Sequence, residues 1–234
     1  MLSIYKRELR AYFTSPIGYI FVSVFLAISG ALFCYTTFYS LSADLTPYFT
    51  YIIFGFVLLL PLLTMRLFSE ERKQRTEQLL LTAPVSIFSM VMAKFCAAYT
   101  VFGACMLCSS VPIAFLYNYA QVKSAIVFGN LFAALLVGAA FIAIGVFISA
   151  LTENQLAAAV GTIGILLAFM LIGAVNSFIP VYFIRLILRS VSVFARFQNF
   201  TQGVFDVSAL LYYLSIVAVF LFLTMRVYDK RRYS

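Results

Sequence analysis

Six long stretches of this 234-residue chain contain no Asp, Glu, Lys or Arg, and they constrain the fold more than any other feature. The shortest is 19 residues long, close to the roughly 20 apolar residues that a helix needs to cross the hydrocarbon core of a bilayer. Inside lipid every backbone N–H and C=O must be hydrogen-bonded within its own segment, so each stretch is expected to be a helix. The charge-free stretches are 11–43, 45–65, 95–122, 124–152, 154–184 and 207–225.

Composition indicates an all-α integral membrane protein with one domain, residues 1–234. The chain is 64% hydrophobic and only 10% charged, whereas a soluble domain carries about 25% charged residues. The strands of a membrane barrel would alternate polar and apolar residues with period two, and these stretches do not. We predict six spans, at 17–38, 48–65, 95–117, 125–151, 156–178 and 207–225.

The distribution of Lys and Arg predicts the orientation in the membrane. With six spans and a cytoplasmic N-terminus, twelve of the 16 basic residues lie inside and four outside. Both termini are therefore expected in the cytoplasm. The net charge of +8 is then a topology signal and does not indicate nucleic-acid binding. The four outside residues are Lys123, Arg185, Arg189 and Arg196.

A short charged run between the second and third spans is the main candidate for function. Seven of the 24 charged side chains fall between Arg66 and Glu77. The run is expected to be a helix that ends near Pro84, because the residue before a proline avoids the α region. Glu71 and Arg75 lie four apart with the acid first, the favourable order for a helical ion pair. We expect Ser86 to cap the next helix and Lys94, near a span end, to reach the headgroups.

The N-terminal residues 1–15 are predicted to form an amphipathic helix that lies in the inner headgroup layer. Leu2, Tyr5, Leu9, Tyr12 and Phe13 share one helical face, whereas Lys6, Arg7 and Arg10 lie elsewhere. Ser15 and Pro16 then begin the first span, since proline suits the first turn of a helix.

Small residues at helical spacing mark two spans as sites of close helix packing. Span four carries Ala134, Gly138, Gly145 and Ser149, and span five carries Ala157, Gly161, Gly164 and Ala168. The sequence leaves open whether each stripe packs within one chain or between two copies.

The segment 179–206 is predicted to lie outside, as short interfacial helices or a re-entrant turn before the last span. Arg185, Arg189 and Arg196 lie at helical spacing. Two interpretations stay open: the arginines only reach the headgroup layer, or they bind anionic headgroups or an anionic substrate.

Several classes of chemistry are excluded by the residues that the chain lacks. It has no histidine, so an HExxH metal site and a histidine-based catalytic triad are impossible. It has no Gly-rich phosphate loop, so it is not expected to hydrolyse ATP by itself. Its four cysteines lie inside predicted spans without metal-ligand spacing, so we expect no metal and no cofactor in this chain. No acid lies deep in a span, which weakens an ion-driven transporter.

The charged run resembles the cytoplasmic signature of ABC-2 type transporter permeases. That pattern is roughly Glu-Glu-basic-x-x-Gly-Thr-x-Glu-x-Leu-Leu-x-x-Pro-Val, and the chain departs from it at Arg75, where glycine is usual. Arginine forms helices well, so we expect the departure to stiffen the segment. The resemblance is closest to the small six-span permeases of gliding motility and of nitrous-oxide-reductase maturation. The matching residues are Glu70, Glu71, Arg72, Thr76, Leu79, Leu80, Pro84 and Val85.

This resemblance implies a non-catalytic permease subunit that exports an unidentified substrate. Two permease chains, identical or related, would form the membrane unit. Two cytoplasmic ATPase subunits would bind ATP and Mg²⁺ and hydrolyse the ATP. Residues 69–83, within the segment 66–86, would form a coupling helix that contacts the ATPase through Glu70, Glu71, Arg72 and Arg75. The entry helix with Tyr5, Arg7, Leu9 and Tyr12 would brace it.

Spans one and five would then face the second permease, and an accessory or periplasmic subunit is a further partner that the family allows. A membrane anchor of an ATPase-driven envelope machine, without transport, is the alternative.

Overall fold

The computed structural model describes residues 1–42, 44–76, 86–117, 119, 124–175, 192–193, 196–197, 200 and 206–232. These residues form helices and contain no strand. A π-helical turn, Cys34–Tyr39, prolongs the second helix. The α-helices are α1 Leu2–Thr14, α2 Pro16–Phe33, α3 Thr46–Thr64, α4 Arg66–Lys73, α5 Ile87–Ser109, α6 Val111–Leu116, α7 Ser124–Leu151, α8 Gln155–Val175 and α9 Val207–Arg232.

Six helical segments of the described residues are long and apolar enough to cross a membrane, which confirms the predicted all-α membrane fold. They are Pro16–Tyr39, Thr46–Lys73, Ile87–Leu116, Ser124–Leu151, Gln155–Gly173 and Val207–Arg232. The second runs on from α3 into α4, so the charged helix continues a span.

Two local predictions at helix starts are confirmed. Ser15 precedes Pro16, and its Oγ accepts the Ile17 N–H at 3.2 Å, so the chain turns directly from α1 into α2. Ser86 begins α5 by accepting the Ser89 N–H at 3.3 Å. Both serines satisfy backbone donors that a helix leaves unpaired in its first turn.

The helix α7 lies at the centre of the bundle and packs against α3, α5, α8 and α9. Its small residues explain that position. A Cβ on Gly138 would lie 2.1 Å from the Phe102 ring of α5, and one on Gly145 would lie 2.2 Å from Thr64 Oγ1 of α3. The small stripe of span four therefore packs within the chain.

Aromatic side chains fill the space between the first three spans. The rings of Phe25, Phe56 and Phe102, one from each span, have centroids 5.1–6.2 Å apart. All three are fully buried, so they pack α2, α3 and α5 against one another.

The charged run departs from its predicted helix. The helix α4 ends at Lys73, and Arg75 adopts a left-handed backbone with φ 57°. The prediction that Arg75 stiffens a continuous helix is therefore wrong, because a residue in that conformation ends a helix. Residues 77–85, with Leu79 and Pro84, lie outside the described residues.

Lys94 also departs from expectation, because its side chain does not reach toward headgroups. The third span begins at Ile87 instead of residue 95, and this places Lys94 inside the helix with 1% of its side chain exposed. Its charge is met by carboxylates of two other helices, described below.

Candidate functional site

The junction between α3 and α4 is built around the hydroxyl of Ser149, which comes from α7. Ser149 Oγ accepts the N–H groups of Phe68 and Ser69 at 3.1 and 3.2 Å, and it donates to the Met65 carbonyl at 3.0 Å. These are first-turn donors of α4, so a neighbouring span supplies the cap that the chain lacks locally. The start of α4 is thereby fixed to the bundle core.

Four charged side chains from three helices meet beside α4, and we call them the Lys94 cluster: Arg7, Glu8, Glu71 and Lys94. Lys94 Nζ lies 2.9 Å from Glu71 Oε1 and 3.3 Å from Glu8 Oε1. Arg7 Nη2 lies 2.9 Å from the same Glu71 oxygen and 2.7 Å from Glu8 Oε1. The cluster therefore joins α1, α4 and α5.

The Lys94 cluster consists of two basic and two acidic side chains, and all but the half-exposed Arg7 are largely removed from solvent. Glu8 and Glu71 have 12% and 19% of their side chains exposed, and Lys94 has 1%. Lys94 also donates to the Leu67 carbonyl at 2.7 Å, and its ammonium lies 5.0 Å from the centroid of the Phe68 ring. A buried charge is tolerated when it is paired and hydrogen-bonded in this way, so these contacts depend on one another.

The entry helix braces the same junction through Tyr12. Its hydroxyl donates to the Leu63 carbonyl at 2.8 Å, and the Arg66 guanidinium lies 5.7 Å from its ring centroid. Burial raises the pKa of the Tyr12 phenol, so the group stays protonated and keeps its donor. Arg66 also donates to Ser15 Oγ, which ties the end of α1 to the start of α4.

Two further contacts join α4 to the ends of other helices. We call this end of the bundle, formed by α1, α4, the α7–α8 connection and the end of α9, the α1–α4 face. Arg72 pairs with Glu153, in the α7–α8 connection, at 2.7 Å and donates to the Leu151 carbonyl at 2.9 Å. The Phe68 ring packs 4.9 Å from Tyr228, near the end of α9. The helix α4 therefore contacts residues from the ends of several spans.

The end of α4 is a Schellman turn. The Thr76 N–H donates to the Glu71 carbonyl at 3.0 Å, and the Arg75 N–H donates to the Arg72 carbonyl at 3.1 Å. This pattern needs a left-handed residue at Arg75, which is where the permease signature has glycine. The departure from the signature thus falls on a backbone position that favours glycine.

Of the five predicted contact residues of the charged run that the structure describes, three form ion pairs within the chain. Glu70 pairs with Arg66 at 3.2 Å, while Glu71 and Arg72 make the contacts given above. Arg75 is exposed and Thr76 is half-buried at the closing turn. Of the entry-helix residues, Tyr12 is buried, Tyr5 and Leu9 pack against the core, and Arg7 joins the Lys94 cluster.

The predicted residues of span five lie on an outer face. Ala157, Gly164 and Ala168 are exposed and Gly161 is half-buried, with no heavy atom of another helix within 4 Å of a Cβ built on Gly164. Arg196 Nη1 donates to Ser208 Oγ at 2.8 Å, and its guanidinium lies 4.6 Å from the Tyr212 ring centroid. Arg185 and Arg189, with most of 179–206, lie outside the described residues.

Sequence reasoning missed Glu8, Glu153 and the role of Ser149. The signal for Glu8 was readable, because it lies four residues from both Ile4 and Tyr12, which are the buried positions of α1. An acid on the buried face of an amphipathic helix requires a partner inside the protein. Ser149 was visible only as one member of a small-residue stripe.

In the part of the chain that the structure describes, no group of three or more His, Cys, Asp or Glu side chains is placed to hold a metal ion. What the α1–α4 face offers is a short helix that ion pairs and hydrogen bonds join to α1, α5 and α7, and that a ring contact joins to α9.

Comparison with known proteins identifies a family that matches this chain. Residues 34–232 match the family model described as ABC-2 family transporter protein, which is most of the chain. No curated protein matches the chain.

Proposed function

The chain belongs to the ABC-2 family of transporter proteins, and we propose that it couples ATP hydrolysis by a separate ATPase subunit to export of a substrate. As a family member it is a multi-pass permease subunit of an ABC transporter. In our proposal the α1–α4 face is cytoplasmic, both termini lie there, and the membrane is the bacterial inner membrane.

The Lys94 cluster is the observation that carries the coupling proposal. It binds α4 to α1 through Arg7 and to α5 through Lys94, and Glu8 joins α1 to α5. A helix held this way does not slide freely over the bundle, because displacing it separates buried opposite charges. Force applied to α4 is therefore passed to the spans rather than absorbed in a loop.

The route that we propose starts with ATP-driven closure of two ATPase subunits beneath α4. Since α4 continues the second span, its displacement tilts that helix directly. Lys94 carries the same movement to the third span and Ser149 carries it to the fourth. Two packed arrangements of the bundle, biased by nucleotide bound elsewhere, are sufficient for alternating access.

We also propose that two permease chains form the membrane unit through the outer face of α8. The exposed small residues Ala157, Gly164 and Ala168 support this, because small stripes let helices approach closely in lipid.

A co-purification experiment tests the function. The tagged chain, expressed in its native cells, is extracted in mild detergent, and stoichiometric partners are identified by mass spectrometry. We expect a P-loop ATPase. The complex is then placed in lipid vesicles, and ATP hydrolysis is measured for the native chain and for Glu71→Gln, which loses its charge and keeps its size. Glu153→Gln is the matched control, because Glu153 pairs at the surface with 65% of its side chain exposed and such pairs contribute about 0–1 kcal/mol.

The possible outcomes discriminate between a coupling permease and a membrane anchor. ATPase binding with hydrolysis altered by Glu71→Gln and not by Glu153→Gln supports coupling through the Lys94 cluster. An ATPase that binds with hydrolysis indifferent to Glu71 supports the membrane anchor instead. The absence of any ATPase with the native chain contradicts both.

A further inference from the structure

The outer side of α1 carries two cations that no acid of the described residues neutralises. Lys6 and Arg10 are exposed, and no carboxylate in the described part of the chain lies within ion-pair distance of either. They lie four residues apart, so they are neighbours on one helical face, where like charges repel each other. An anion bound between the two side chains would remove this repulsion.

Arg7 belongs both to the Lys94 cluster and to this outer side of α1. Its Nε and Nη2 donate to Glu8, and Nη2 also donates to Glu71. Its Nη1 has no acceptor among the described residues, and 52% of the side chain is exposed. Since a guanidinium has five N–H donors, Arg7 is able to bind an anion on its outer side without leaving Glu71.

A groove of about 710 Å³ lies along the same side of α1. Because a helix turns once in about 3.6 residues, its two apolar side chains lie along one edge and the cations lie beside them. The groove therefore combines apolar contact with positive charge. Among the described residues, its lining is Ser3, Lys6, Arg7, Leu9, Arg10 and Phe13.

The apolar edge of the groove continues onto the first span. The Phe13 ring packs edge-on against Tyr19 of α2, with centroids 6.4 Å apart. Tyr19 and Ile20 are more than half exposed, on a helix that is long and apolar enough to cross a membrane. An acyl chain is thus able to pass from Phe13 along α2 while its headgroup stays beside the cations. A free anion would leave this apolar edge unused.

We propose that the groove binds an anionic phospholipid from the leaflet next to the α1–α4 face. The phosphate group lies between Lys6 and Arg10, Arg7 Nη1 donates to the headgroup, and an acyl chain packs against Phe13. Because the Arg7 guanidinium also contacts Glu71, the bound lipid holds in place one member of the Lys94 cluster. The inference requires the membrane fold and is independent of any ATPase or transport.

A tryptophan in the groove tests the proposal, because the chain has no tryptophan of its own. Phe13→Trp is placed in vesicles of phosphatidylglycerol and phosphatidylcholine in equal amounts, and only one of the two lipids carries bromine on its acyl chains. Bromine quenches tryptophan fluorescence only at close approach. We expect stronger quenching when phosphatidylglycerol is the brominated lipid. Phe54→Trp, at an exposed position within the second span, is the control and should be quenched equally by both lipids.

Neutralising the two cations tests whether they bind the headgroup. In the Phe13→Trp chain, Lys6→Gln/Arg10→Gln is expected to reduce the preference for phosphatidylglycerol roughly fivefold or more, because one basic residue near an anionic surface already contributes about that factor. Lys230→Gln/Arg232→Gln removes the same charges at exposed positions of α9 and should leave the preference unchanged. Equal quenching of Phe13→Trp by the two lipids, or an equal loss of preference with both neutralised variants, would overturn the proposal.

Thermal unfolding of the unmodified chain in detergent gives a second readout, because a ligand that binds only the folded state raises the melting temperature. We expect a rise with phosphatidylglycerol and none with phosphatidylcholine or inorganic phosphate. Before lipid is added, Lys6→Gln/Arg10→Gln should melt no lower than the native chain, which separates loss of the site from loss of the fold. An equal rise with inorganic phosphate, or a rise with phosphatidylglycerol that persists in this variant, would contradict the lipid site and leave the proposed function intact.

Discussion

A lysine ammonium with 1% of its side chain exposed is stable only where the protein replaces its water. The Lys94 ammonium is contacted in place of water by two carboxylates, a backbone carbonyl and the face of an aromatic ring. Removing one of these charged side chains is strongly destabilising, because the remaining charges stay buried without a partner. Residue 94 is therefore a position at which charge and stability are directly linked.

Lys94→Met is expected to lower the free energy of unfolding by about 3–5 kcal/mol, the cost of breaking a buried ion pair from one side. The physical reason is that Glu8 and Glu71 then share one cation, Arg7, which is half exposed. Thermal unfolding in detergent measures the change. The double variant Lys94→Met/Glu71→Gln restores neutrality and should recover much of the loss. A single variant that melts like the native chain would contradict the role given to the cluster.

Arg75→Gly is expected to stabilise the folded chain by about 1 kcal/mol, because glycine adopts the left-handed conformation without the steric cost that a Cβ brings. The matched control is Gln74→Gly, one residue earlier, where the backbone is right-handed with φ −83° and glycine offers no relief. Melting temperatures of the two variants measure the difference. If Gln74→Gly stabilises the chain as much as Arg75→Gly, strain at Arg75 is not the cause.

At the scale of helices, the joint between α3 and α4 depends on how closely α7 approaches it. Ser149 caps α4, and Gly145, one turn earlier on α7, contacts Thr64 at the end of α3. A side chain at Gly145 would push the two helices apart and withdraw the Ser149 hydroxyl from α4.

Gly145→Ala is therefore expected to destabilise the chain by about 1–3 kcal/mol through overpacking. Gly103→Ala on α5 is the control, since no heavy atom of another element lies within 4 Å of a Cβ built there. That change should leave stability equal or slightly raised, because alanine is a better helix former than glycine. Thermal unfolding of both variants checks the prediction, and equal melting temperatures would contradict close packing at Gly145.

The helices of this chain follow from properties that are local in sequence. The spans and their starts could be predicted, because each signal lies within the segment that it affects. These signals are the long charge-free stretches, Pro16 after a capping serine, and Ser86 before α5. The end of α4 could not, because arginine in isolation favours helix. Before this turn, Glu71 and Arg72 pair with residues that are distant in sequence.

Across the whole protein, only part of the candidate site could be predicted, because its side chains pair with residues that are distant in sequence. The charged run and the entry helix were each identified from their patterns, and the resemblance implied that they contact each other. The ion pairs between residues 7, 71 and 94 join positions more than 20 residues apart, and sequence pattern alone does not specify such pairings. The third span shows this most clearly, because Lys94 was taken as its boundary and instead lies inside it.

The outer face of α8 is the surface through which we expect two permease chains to assemble. In a symmetric dimer, residues near the two-fold axis meet their own copies, so Gly164→Cys is expected to form a disulfide-linked dimer under mild oxidation in vesicles. The variant is made in a chain with its exposed cysteines, Cys34 and Cys108, replaced by serine. Gly103→Cys is the control, because its site is also open and lies on α5 rather than α8. Efficient cross-linking at Gly103 and none at Gly164, with the ATPase still bound, would place the second permease against another face. Cross-linking at Gly164 alone would assign the two small-residue stripes opposite tasks: that of α7 closes each bundle, and that of α8 joins two bundles into one transporter.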